Sequence, residues 1–376
     1  MKIAGIICEY NPFHNGHKYQ IEMLKKEFDG IVCIMSGSFV QRGDVAIFDK
    51  WTRARAALSS GCDLVIELPV QYALSSAQGF ARGAIDILSA SGVIDSLSIG
   101  SECGNIDSLL SAAEILQNET PEISEKIKSY LNDGFSYPSA REKAYSGLIV
   151  PELLSEPNNI LALEYIMELK RIDSSISPIT HKRCDNGYHS LKTDSAYASA
   201  TQIRNMIKNS EDFSSFVPYN YNGIDSHCLD NLSDIFRYLL ISRGTDIFCS
   251  IPDMEPGLDN RFLQNVNKPT ISEIIDSVKT KRYTRTRLQR IVCSVILGLY
   301  ENEKKPEYIR ILGMTKTGMD ILSHMKKTAR YPIVNKVADF KDDSIKKDIL
   351  ATDLSELYKS SKATFGRDYT TSPIIC

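Results

Sequence analysis

The first hundred residues alternate between short apolar runs and longer stretches that carry one apolar face. The pattern predicts strands at residues 3–8, 30–35, 63–68 and 93–99, and helices at 16–28, 50–60 and 75–89. Continuous apolar strands separated by amphipathic helices are typical of a parallel sheet with helices on both faces. The pattern therefore predicts an α/β, Rossmann-like domain, in which ligands bind at the carboxyl ends of the strands.

The pattern changes further along the chain. Residues 105–150 are predicted to be a helical insertion, and 177–182 a further strand. A helix is predicted from about residue 199, and after about residue 225 the alternation stops. From there the pattern predicts helices at 230–242, 272–278, 285–299 and 316–325. Because Asn, Tyr and Pro cluster before residue 225, as in linkers, we expect an α/β domain over 1–215 and a mainly α-helical C-terminal domain over 225–376.

Composition narrows the classes of function. The chain has 376 residues, 43% hydrophobic and 24% charged, with a formal net charge of −3, which is ordinary for a globular protein. That net charge gives no global reason to bind nucleic acid, so an RNA-binding surface must be local. No apolar run reaches the roughly 18 residues of a membrane span. The nine cysteines include no Cys-x-x-Cys pair, and without a secretion signal we expect a cytoplasmic protein with free thiols.

A His-x-Gly-His motif, His14-Asn15-Gly16-His17, lies where the first predicted strand meets the first predicted helix. Free backbone N–H groups and the positive end of the helix dipole make such a junction an anion site. Two imidazoles add donors for phosphate oxygens, and Gly16 leaves room for a nucleotide near the backbone. Taken alone, the tetrapeptide occurs by chance in many chains, and its histidines are more often structural than catalytic.

A second phosphate-binding pattern, Ser199-Ala200-Thr201-Gln202-Ile203-Arg204, begins the helix predicted near residue 199. The hydroxyls of Ser199 and Thr201 and the nearby N–H groups suit β- and γ-phosphate oxygens. Arg204 suits the departing pyrophosphate, because a guanidinium binds phosphate through two hydrogen bonds. Alone, this segment is more simply a capped helix with a surface arginine. The two motifs together predict a triphosphate site, which requires His17 and Thr201 to line one cleft.

The pair of motifs resembles the nucleotidylyltransferase superfamily, which has H-x-G-H early and I-S-S/T-T-x-I-R late. Ala198 and Ala200 depart from the late pattern, and Ala200 removes one hydroxyl. Longer strings over nearly the whole chain are similar to the bacterial tRNA(Met) cytidine acetate ligase family. These strings are GIICEYNPFHNGH (5–17), MSGSFVQRG (35–43), DKWTRA (49–54), GSE (100–102), PNNIL (157–161), YTRTRLQR (283–290) and YIRILG (308–313).

The resemblance implies an ATP-dependent ligase that modifies tRNA. It implies that acetate is activated with ATP and Mg²⁺ as acetyl-adenylate, and that N4 of the wobble cytidine of elongator tRNA(Met) is then acetylated. His14, His17 and Arg204 are the expected catalytic residues, because attack on a crowded, anionic phosphorus needs charge screening and alignment rather than a covalent nucleophile. Acetate is already ionised at neutral pH, so the first step needs no general base.

The resemblance also implies an ATP-binding set. Most of it is the loop from the first strand into the His-x-Gly-His helix. The loop residues are Ile7, Cys8, Glu9, Tyr10, Asn11, Pro12, Phe13, His14, Asn15, Gly16, His17, Lys18, Tyr19 and Gln20. The others implied are Gly100, Asn158 or Asn159, and Arg183, to which the second motif adds Ser199 and Thr201. No metal site formed by protein ligands is expected.

A basic segment without an acidic residue is the candidate RNA-binding surface. It contains Lys281, Arg282, Tyr283, Arg285, Arg287 and Arg290. The cations predict contacts to phosphates, and an interleaved tyrosine suits stacking on a base. Arg42, Arg53 and Arg55, near the predicted nucleotide site, extend this surface. An ordinary solvated helix face explains such a run equally well.

Two other functions fit parts of the same pattern. One is an adenylyl- or cytidylyltransferase that acts on a small phosphorylated metabolite, since such enzymes share both motifs. The other is a non-catalytic module that binds nucleotide or RNA. Release of pyrophosphate with and without tRNA separates the first from the ligase, and ATP binding without turnover indicates the second.

Overall fold

The computed structural model describes residues 1–183, 197–301, 305–357, 359 and 363–376. The helices are α1 (Asn15–Leu24), α2 (Lys50–Ser59), α3 (Val70–Ala73), α4 (Ala77–Ser91), α5 (Ile106–Gln117), α6 (Pro121–Asn132), α7 (Tyr137–Ala144), α8 (Pro151–Ser155), α9 (Pro157–Arg171), α10 (Ala200–Lys208), α11 (Ser233–Arg243), α12 (Leu258–Gln264), α13 (Ile271–Val278), α14 (Arg285–Leu297), α15 (Lys316–Thr328), α16 (Lys346–Glu356) and α17 (Arg367–Thr370). The strands are β1 (Ile3–Cys8), β2 (Gly30–Ser36), β3 (Phe39–Val40), β4 (Asp44–Val45), β5 (Leu64–Leu68), β6 (Ser96–Ser101), β7 (Ser177–Lys182), β8 (Ile309–Met314), β9 (Ile333–Val334) and β10 (Ile374–Ile375). No helix within these ranges has the length and apolar character that crossing a bilayer requires.

A single large sheet organises the fold, in the strand order β10-β8-β5-β2-β1-β6-β7, with β9 beside β8. From β5 to β7 in this order, neighbouring strands are parallel, whereas β8 runs antiparallel to β5. The chain builds outward from β1, through β2 to β5 on one side and through β6 to β7 on the other. The carboxyl ends of β1 and β6 therefore flank the point where the strand order switches, and parallel sheets bind ligands there.

Helices cover both faces of the sheet, which explains why its strands are apolar without interruption. Along β2, Val32 and Ile34 pack with α4, α9 and α15 on one face, while Cys33 and Met35 pack with α1 and α2 on the other. This follows from the alternation of side chains along a strand, and every residue of β2 is buried. The predicted α/β class is confirmed.

The elements predicted up to residue 215 are present, with shifted ends. The helix predicted at 16–28 ends four residues early, at Leu24, and the strand predicted at 93–99 starts three residues late, as β6 at Ser96–Ser101. Helix α4 continues to Ser91, and Gly92 ends it in the left-handed conformation with a φ of 70°. The strand therefore starts later than the apolar pattern suggests. The segment predicted as a helical insertion forms α5, α6 and α7.

The C-terminal region is helical in part and also contributes a strand to the sheet. Helices α11 to α14 share an apolar core of their own, which Phe39 and Val45 of the β3–β4 hairpin also join. Strand β8, which the sequence pattern did not predict, is buried along its whole length and pairs with β5. The residues after 225 are therefore not a purely helical unit, because Ile309–Met314 extends the sheet of the first domain.

A buried cluster of ion pairs joins the C-terminal residues to the start of the sheet. Lys50 Nζ lies 2.8 Å from carboxylate oxygens of both Glu67 and Asp368. Arg310 lies 2.8 Å from Glu67 and 2.5 Å from Asp368. All four side chains are buried, so the two cations and two carboxylates balance one another where water cannot solvate them. The cluster explains why the strings around residues 50 and 310 contain charges inside otherwise apolar surroundings.

Candidate active site

Both sequence motifs line one broad cleft at the carboxyl ends of β1 and β6. The cleft has a volume of about 1800 Å³, and its lining includes His14, His17, Thr201 and Arg204. Arg204 joins the motifs directly, because its Nη1 donates a hydrogen bond of 2.7 Å to the carbonyl oxygen of Asn11. The requirement that His17 and Thr201 share a cleft is therefore met.

The two histidines form a stacked pair at the start of α1. Their ring centroids are 3.7 Å apart, and the rings are inclined by 25°. His14 is the N-cap, and its Nδ1 accepts a hydrogen bond of 3.1 Å from the N–H of Gly16. The Nδ1 of His17 accepts one of 3.3 Å from the N–H of His14. Because a neutral imidazole that accepts at Nδ1 carries its proton on Nε2, the pair offers two Nε2–H donors.

The surroundings of His17 keep it neutral. Burial, and then the neighbouring His14 and Arg183, lower the pKa of His17 well below its ordinary value of 6.5. A histidine with a lowered pKa stays uncharged at neutral pH, so it acts as a directed hydrogen-bond donor rather than as a fixed cation. The positive charge in this part of the cleft comes from arginines.

The start of α10 is organised as the second motif predicts. Ser199 caps the helix by accepting from the N–H of Gln202 at 3.2 Å, and the Gln202 side chain accepts in return from the N–H of Ser199 at 2.8 Å. Arg204 Nη2 donates to the Thr201 hydroxyl at 3.0 Å. Burial lowers the pKa of Arg204, but a guanidinium remains charged at neutral pH. The helix start therefore combines a positive dipole end with a held cation.

The start of α9 distinguishes between the two asparagines. Glu102 accepts hydrogen bonds from the backbone N–H groups of Asn158 and Asn159, at 3.1 and 2.8 Å. Asn159 is buried, and its Oδ1 accepts from the N–H groups of Glu102 and Cys103. Asn158 lines the cleft, and its Oδ1 accepts from Arg183 at 3.4 Å. Sequence reasoning did not identify Glu102 as the residue that positions this helix. The available signal was its place in the GSE string directly after the predicted strand 93–99.

The remaining residues of the expected ATP-binding set divide between the cleft and its surroundings. The loop residues that line the cleft are Ile7, Cys8, Glu9, Tyr10, Asn11, His14, His17 and Gln20, and Gly100 and Arg183 line it as well. Gly16 and Tyr19 line a small side pocket that His17 and Arg183 share. Phe13 is fully buried, and Lys18 is exposed on α1 beside Glu22. Neither Phe13 nor Lys18 is among the residues that line the cleft.

The arginines of the basic segment reach the same cleft, but acidic residues neutralise them. Arg282, Arg285, Arg287 and Arg290 all line the cleft, whereas Lys281 is exposed outside its lining. Arg282 and Arg287 pair with Glu255 at 2.8 and 2.9 Å, Arg290 with Asp253 at 2.9 Å, and Arg285 with Asp276. The sequence could not reveal these pairs, because the carboxylates lie outside the segment.

Tyr283 is not an exposed stacking platform, so that expectation is wrong. Its side chain is buried in the core of the helical region, and its hydroxyl donates to Glu255 at 3.2 Å. The guanidinium groups of Arg282 and Arg287 lie 5.9 and 5.5 Å from its ring centroid. The ring therefore organises the arginines instead of contacting a base.

Arg53, expected on the RNA-binding surface, is instead fully buried, so that expectation is also wrong. Its guanidinium donates hydrogen bonds to the carbonyl oxygens of Glu9, Ser36, Gly37 and Phe48. One buried cation thus fixes the segments that follow β1 and β2. The available sequence signal was its position within the alanine-rich, buried face of α2.

The described residues contain no cluster of three or more His, Cys, Asp or Glu side chains that could hold a metal ion. A divalent cation that enters with ATP is held mainly by the phosphate oxygens in such cases.

Comparison with known proteins connects this geometry to a family. The family model described as HIGH Nucleotidyl Transferase matches residues 1–368. A tRNA(Met) cytidine acetate ligase of Clostridium novyi (strain NT) is 40% identical over 399 residues, which cover 100% of this chain and 99% of that protein. A tRNA(Met) cytidine acetate ligase of Clostridium perfringens (strain ATCC 13124) is 39% identical over 402 residues, with 100% of both chains covered.

Two crystal structures of Thermotoga maritima TmcAL have the same fold. The structure bound with alpha-thio ATP superposes with a TM-score of 0.89 at 32% identity, and the apo structure with a TM-score of 0.91 at 31% identity. Each comparison covers 100% of this chain and 99% of the other.

Proposed function

The chain belongs to the HIGH nucleotidyl transferase family and, within it, to the tRNA(Met) cytidine acetate ligases, and we propose that it uses ATP to acetylate N4 of the wobble cytidine of elongator tRNA(Met). The observation that carries the proposal is that the stacked His14–His17 pair and the start of α10 line one cleft. The hydrogen bond from Arg204 to the Asn11 carbonyl holds these two groups together.

In the first step an acetate oxygen attacks the α-phosphorus of ATP. A bond forms between acetate and the α-phosphate, the bond to the bridging oxygen breaks, and pyrophosphate leaves with the electron pair. The Nε2–H groups of His14 and His17 donate to oxygens on which negative charge develops. Ser199, Thr201 and Arg204 hold the departing pyrophosphate at the start of α10. Such positioned donors lower the barrier without a covalent nucleophile.

In the second step the N4 amine of the cytidine attacks the acetyl carbonyl of acetyl-adenylate. The C–N bond forms, the bond to the phosphate oxygen breaks, AMP leaves with the electron pair, and the amine loses one proton. The same imidazole donors stabilise the charge on the leaving phosphate, so one pair of histidines serves both steps. Their neutral state suits this role, because a donor with a fixed direction needs no change in protonation.

The remaining nucleotide contacts are assigned by position. Gly100, Asn158 and Arg183 lie together near the carboxyl end of β6 and line the cleft. We assign them to the adenosine end of ATP, with Asn158 in preference to Asn159, because Asn158 lines the cleft whereas Asn159 is buried outside its lining. The tRNA lies along the arginines of α14 that line the same cleft, which we call the α14 wall.

Mass spectrometry of nucleosides provides the direct test. Elongator tRNA(Met) is incubated with the protein, ATP and isotopically labelled acetate, and N4-acetylcytidine is quantified. We expect label in the wobble cytidine for the wild type and a loss of 100-fold or more for His17→Ala, on the order of the loss of one preorganised donor. His324→Ala, an exposed histidine on α15, serves as the matched control.

Two results would contradict the proposal. If pyrophosphate is released equally well without tRNA when a small phosphorylated metabolite is present, the protein is a metabolite nucleotidylyltransferase. If ATP binds but neither pyrophosphate nor acetylcytidine appears, the protein is a binding module. Wild-type turnover by His17→Ala would remove the histidine pair from the mechanism.

A further inference from the structure

The β3–β4 hairpin presents a guanidinium to the cleft that neither motif contains. Arg42 is exposed at the tip of this hairpin and lines the cleft. The tip is closed by a hydrogen bond of 2.9 Å from the N–H of Gly43 to the carbonyl of Val40. The N–H of Gln41 donates to Glu9 Oε1 at 2.6 Å, which ties the tip to the end of β1.

The backbone of the hairpin is held firmly on its other side. Phe39 and Val45 are buried in the core of the helical region. Gly43, with a φ of +76°, packs so tightly on α14 that a Cβ there would lie 2.4 Å from the backbone nitrogen of Arg290. The position of Arg42 is therefore fixed by β1 on one side and by α14 on the other.

The charge of Arg42 is not compensated by the protein. Among the described residues, none forms an ion pair with its guanidinium or accepts a hydrogen bond from it. The four arginines of the basic segment that line the cleft differ, since each of them pairs with a carboxylate. Arg42 also lies near Arg204: burial lowers the pKa of Arg204, the carboxylates of Glu9 and Asp44 act against this, and the positive charge of Arg42 lowers it further. Two like charges that face one cleft favour an anion between them.

We propose that Arg42 and Arg204 together form a subsite for the pyrophosphate portion of ATP, with Arg42 as a substrate-contacting residue of the reaction. Arg204 is held by Asn11 on one side and Thr201 on the other. An anion that meets both guanidinium groups therefore also meets the N–H groups at the start of α10. That combination suits the β- and γ-phosphates, which carry most of the charge of ATP and leave together as pyrophosphate.

The inference rests on the proposed function only for the identity of the nucleotide, so its test uses binding rather than acetyl transfer. ATP and AMP are titrated separately by calorimetry into wild type, Arg42→Ala and Arg42→Gln, without acetate or tRNA. Arg261→Ala is the matched control, because Arg261 is an exposed arginine on α12 outside the cleft lining. Thermal unfolding midpoints confirm that each variant is folded.

We expect both Arg42 variants to bind ATP at least about tenfold more weakly, as the loss of a charge-assisted contact implies. Their affinity for AMP, which lacks pyrophosphate, should change by less than about twofold, and Arg261→Ala should match the wild type for both ligands. Equal losses for ATP and AMP would overturn the inference, since they would indicate a disturbed hairpin. Unchanged ATP affinity would overturn it as well.

A separate titration with tRNA at fixed low salt distinguishes nucleotide phosphates from RNA phosphates. If Arg42→Ala weakens tRNA binding and leaves ATP binding intact, Arg42 contacts RNA and the inference is wrong. If ATP binding depends on Arg42 but the wild type never acetylates tRNA, the inference stands and the proposed function fails. If the wild type does not bind ATP, both fail.

Discussion

At the scale of single residues, the site depends on how backbone N–H groups orient the side chains. The His-x-Gly-His spacing places Gly16 so that its N–H fixes His14, and the N–H of His14 in turn fixes His17. Each imidazole therefore directs Nε2–H away from the helix start. The first motif is thus organised by local hydrogen bonds, whereas its relation to the second motif depends on the fold.

The state of His17 predicts the acid limb of the pH profile. Its pKa lies well below 6.5, because burial disfavours the charged form, so the ring is neutral at pH 6.5 and above. We expect kcat/KM for ATP to show no inflection from the titration of His17 between pH 6.5 and 8 and to fall only at lower pH, where protonation of Nδ1 would break its bond to the N–H of His14. The measurement is a pH–rate profile of pyrophosphate release for wild type and His17→Gln. An inflection at pH 7 or above that disappears in His17→Gln would contradict this assignment.

The two asparagines of α9 predict different phenotypes for the same substitution. Asn159→Ala leaves the N–H groups of Glu102 and Cys103 without their acceptor, so it should lower the free energy of unfolding by about 2 kcal/mol. Asn158→Ala removes a side chain that lines the cleft and bridges Glu102 to Arg183, so it should weaken ATP binding and destabilise the fold less than Asn159→Ala does. Denaturant midpoints and ATP calorimetry measure both effects, and the reverse pattern would exchange their roles.

At the scale of elements, the sequence predicted what periodicity encodes and missed what depends on distant partners. The parallel strands and their helices follow from unbroken apolar runs, and the strand Ser177–Lys182 was predicted to the residue. Strand β8 was missed because its partner β5 lies more than 200 residues away in sequence and pairs in the antiparallel direction. The choice between Asn158 and Asn159 depends on how Glu102 captures the start of α9. The carboxylates that neutralise α14 likewise come from other elements.

The contact between the β3–β4 hairpin and α14 predicts a cost at Gly43. In Gly43→Ala the new Cβ would lie 2.4 Å from the backbone nitrogen of Arg290, and the residue keeps a φ of +76°. We expect a lower melting temperature and weaker ATP binding, because the tip must move away from α14 and take Arg42 with it. The left-handed conformation alone costs about 1 kcal/mol.

Gly134→Ala is the control that separates the loss of stability due to the left-handed backbone from the loss due to a steric clash. Gly134 has a φ of +86°, and no atom lies within 4 Å of the Cβ position. It should therefore lose only the conformational part of the stability and keep the wild-type affinity for ATP. If the two variants behave alike, the packing of the hairpin on α14 plays no part in nucleotide binding.

At the scale of the whole molecule, distant parts of the chain depend on one another through buried polar groups. The Lys50–Glu67–Arg310–Asp368 cluster joins α2, β5, β8 and α17. The Asp348 carboxyl accepts from the N–H of Val70, and burial raises the pKa of Asp348 to about 7. Similarity to the family therefore extends over nearly the whole chain for a structural reason, since residues near 50 and 310 meet in the same interior.

Removal of one member of this cluster should be costly. Arg310→Met leaves Glu67 and Asp368 buried with one cation between them, and breaking a buried pair costs about 3–5 kcal/mol. Lys346→Ala removes an exposed pair with Asp343 and should leave the free energy of unfolding nearly unchanged, because solvent screens such a pair. Chemical denaturation of both variants measures the difference. Equal midpoints would show that the cluster does not hold the C-terminal residues in place.

One ion pair of the α14 wall, Arg285 with Asp276, can be tested by removing either partner, because the two substitutions should have opposite effects on tRNA binding. Arg285 pairs with the exposed Asp276, so the pair contributes little net charge to the cleft. If Arg285 contacts an RNA phosphate, Asp276→Ala should strengthen tRNA binding at low salt, because the Asp276 carboxylate no longer competes with the phosphate for the Arg285 guanidinium. Arg285→Ala should weaken it and reduce the salt dependence by about one phosphate contact.

The comparison is made by filter binding over a range of KCl concentrations, with Arg261→Ala on α12 as the control outside the cleft lining. ATP affinity should be unchanged in all three variants, because the pair lies on the wall and not at the histidine pair. If neither Arg285→Ala nor Asp276→Ala changes the affinity for tRNA, the ion pair only stabilises the helices. The RNA would then have to contact another part of the cleft lining, which includes the exposed Tyr137 at the start of α7.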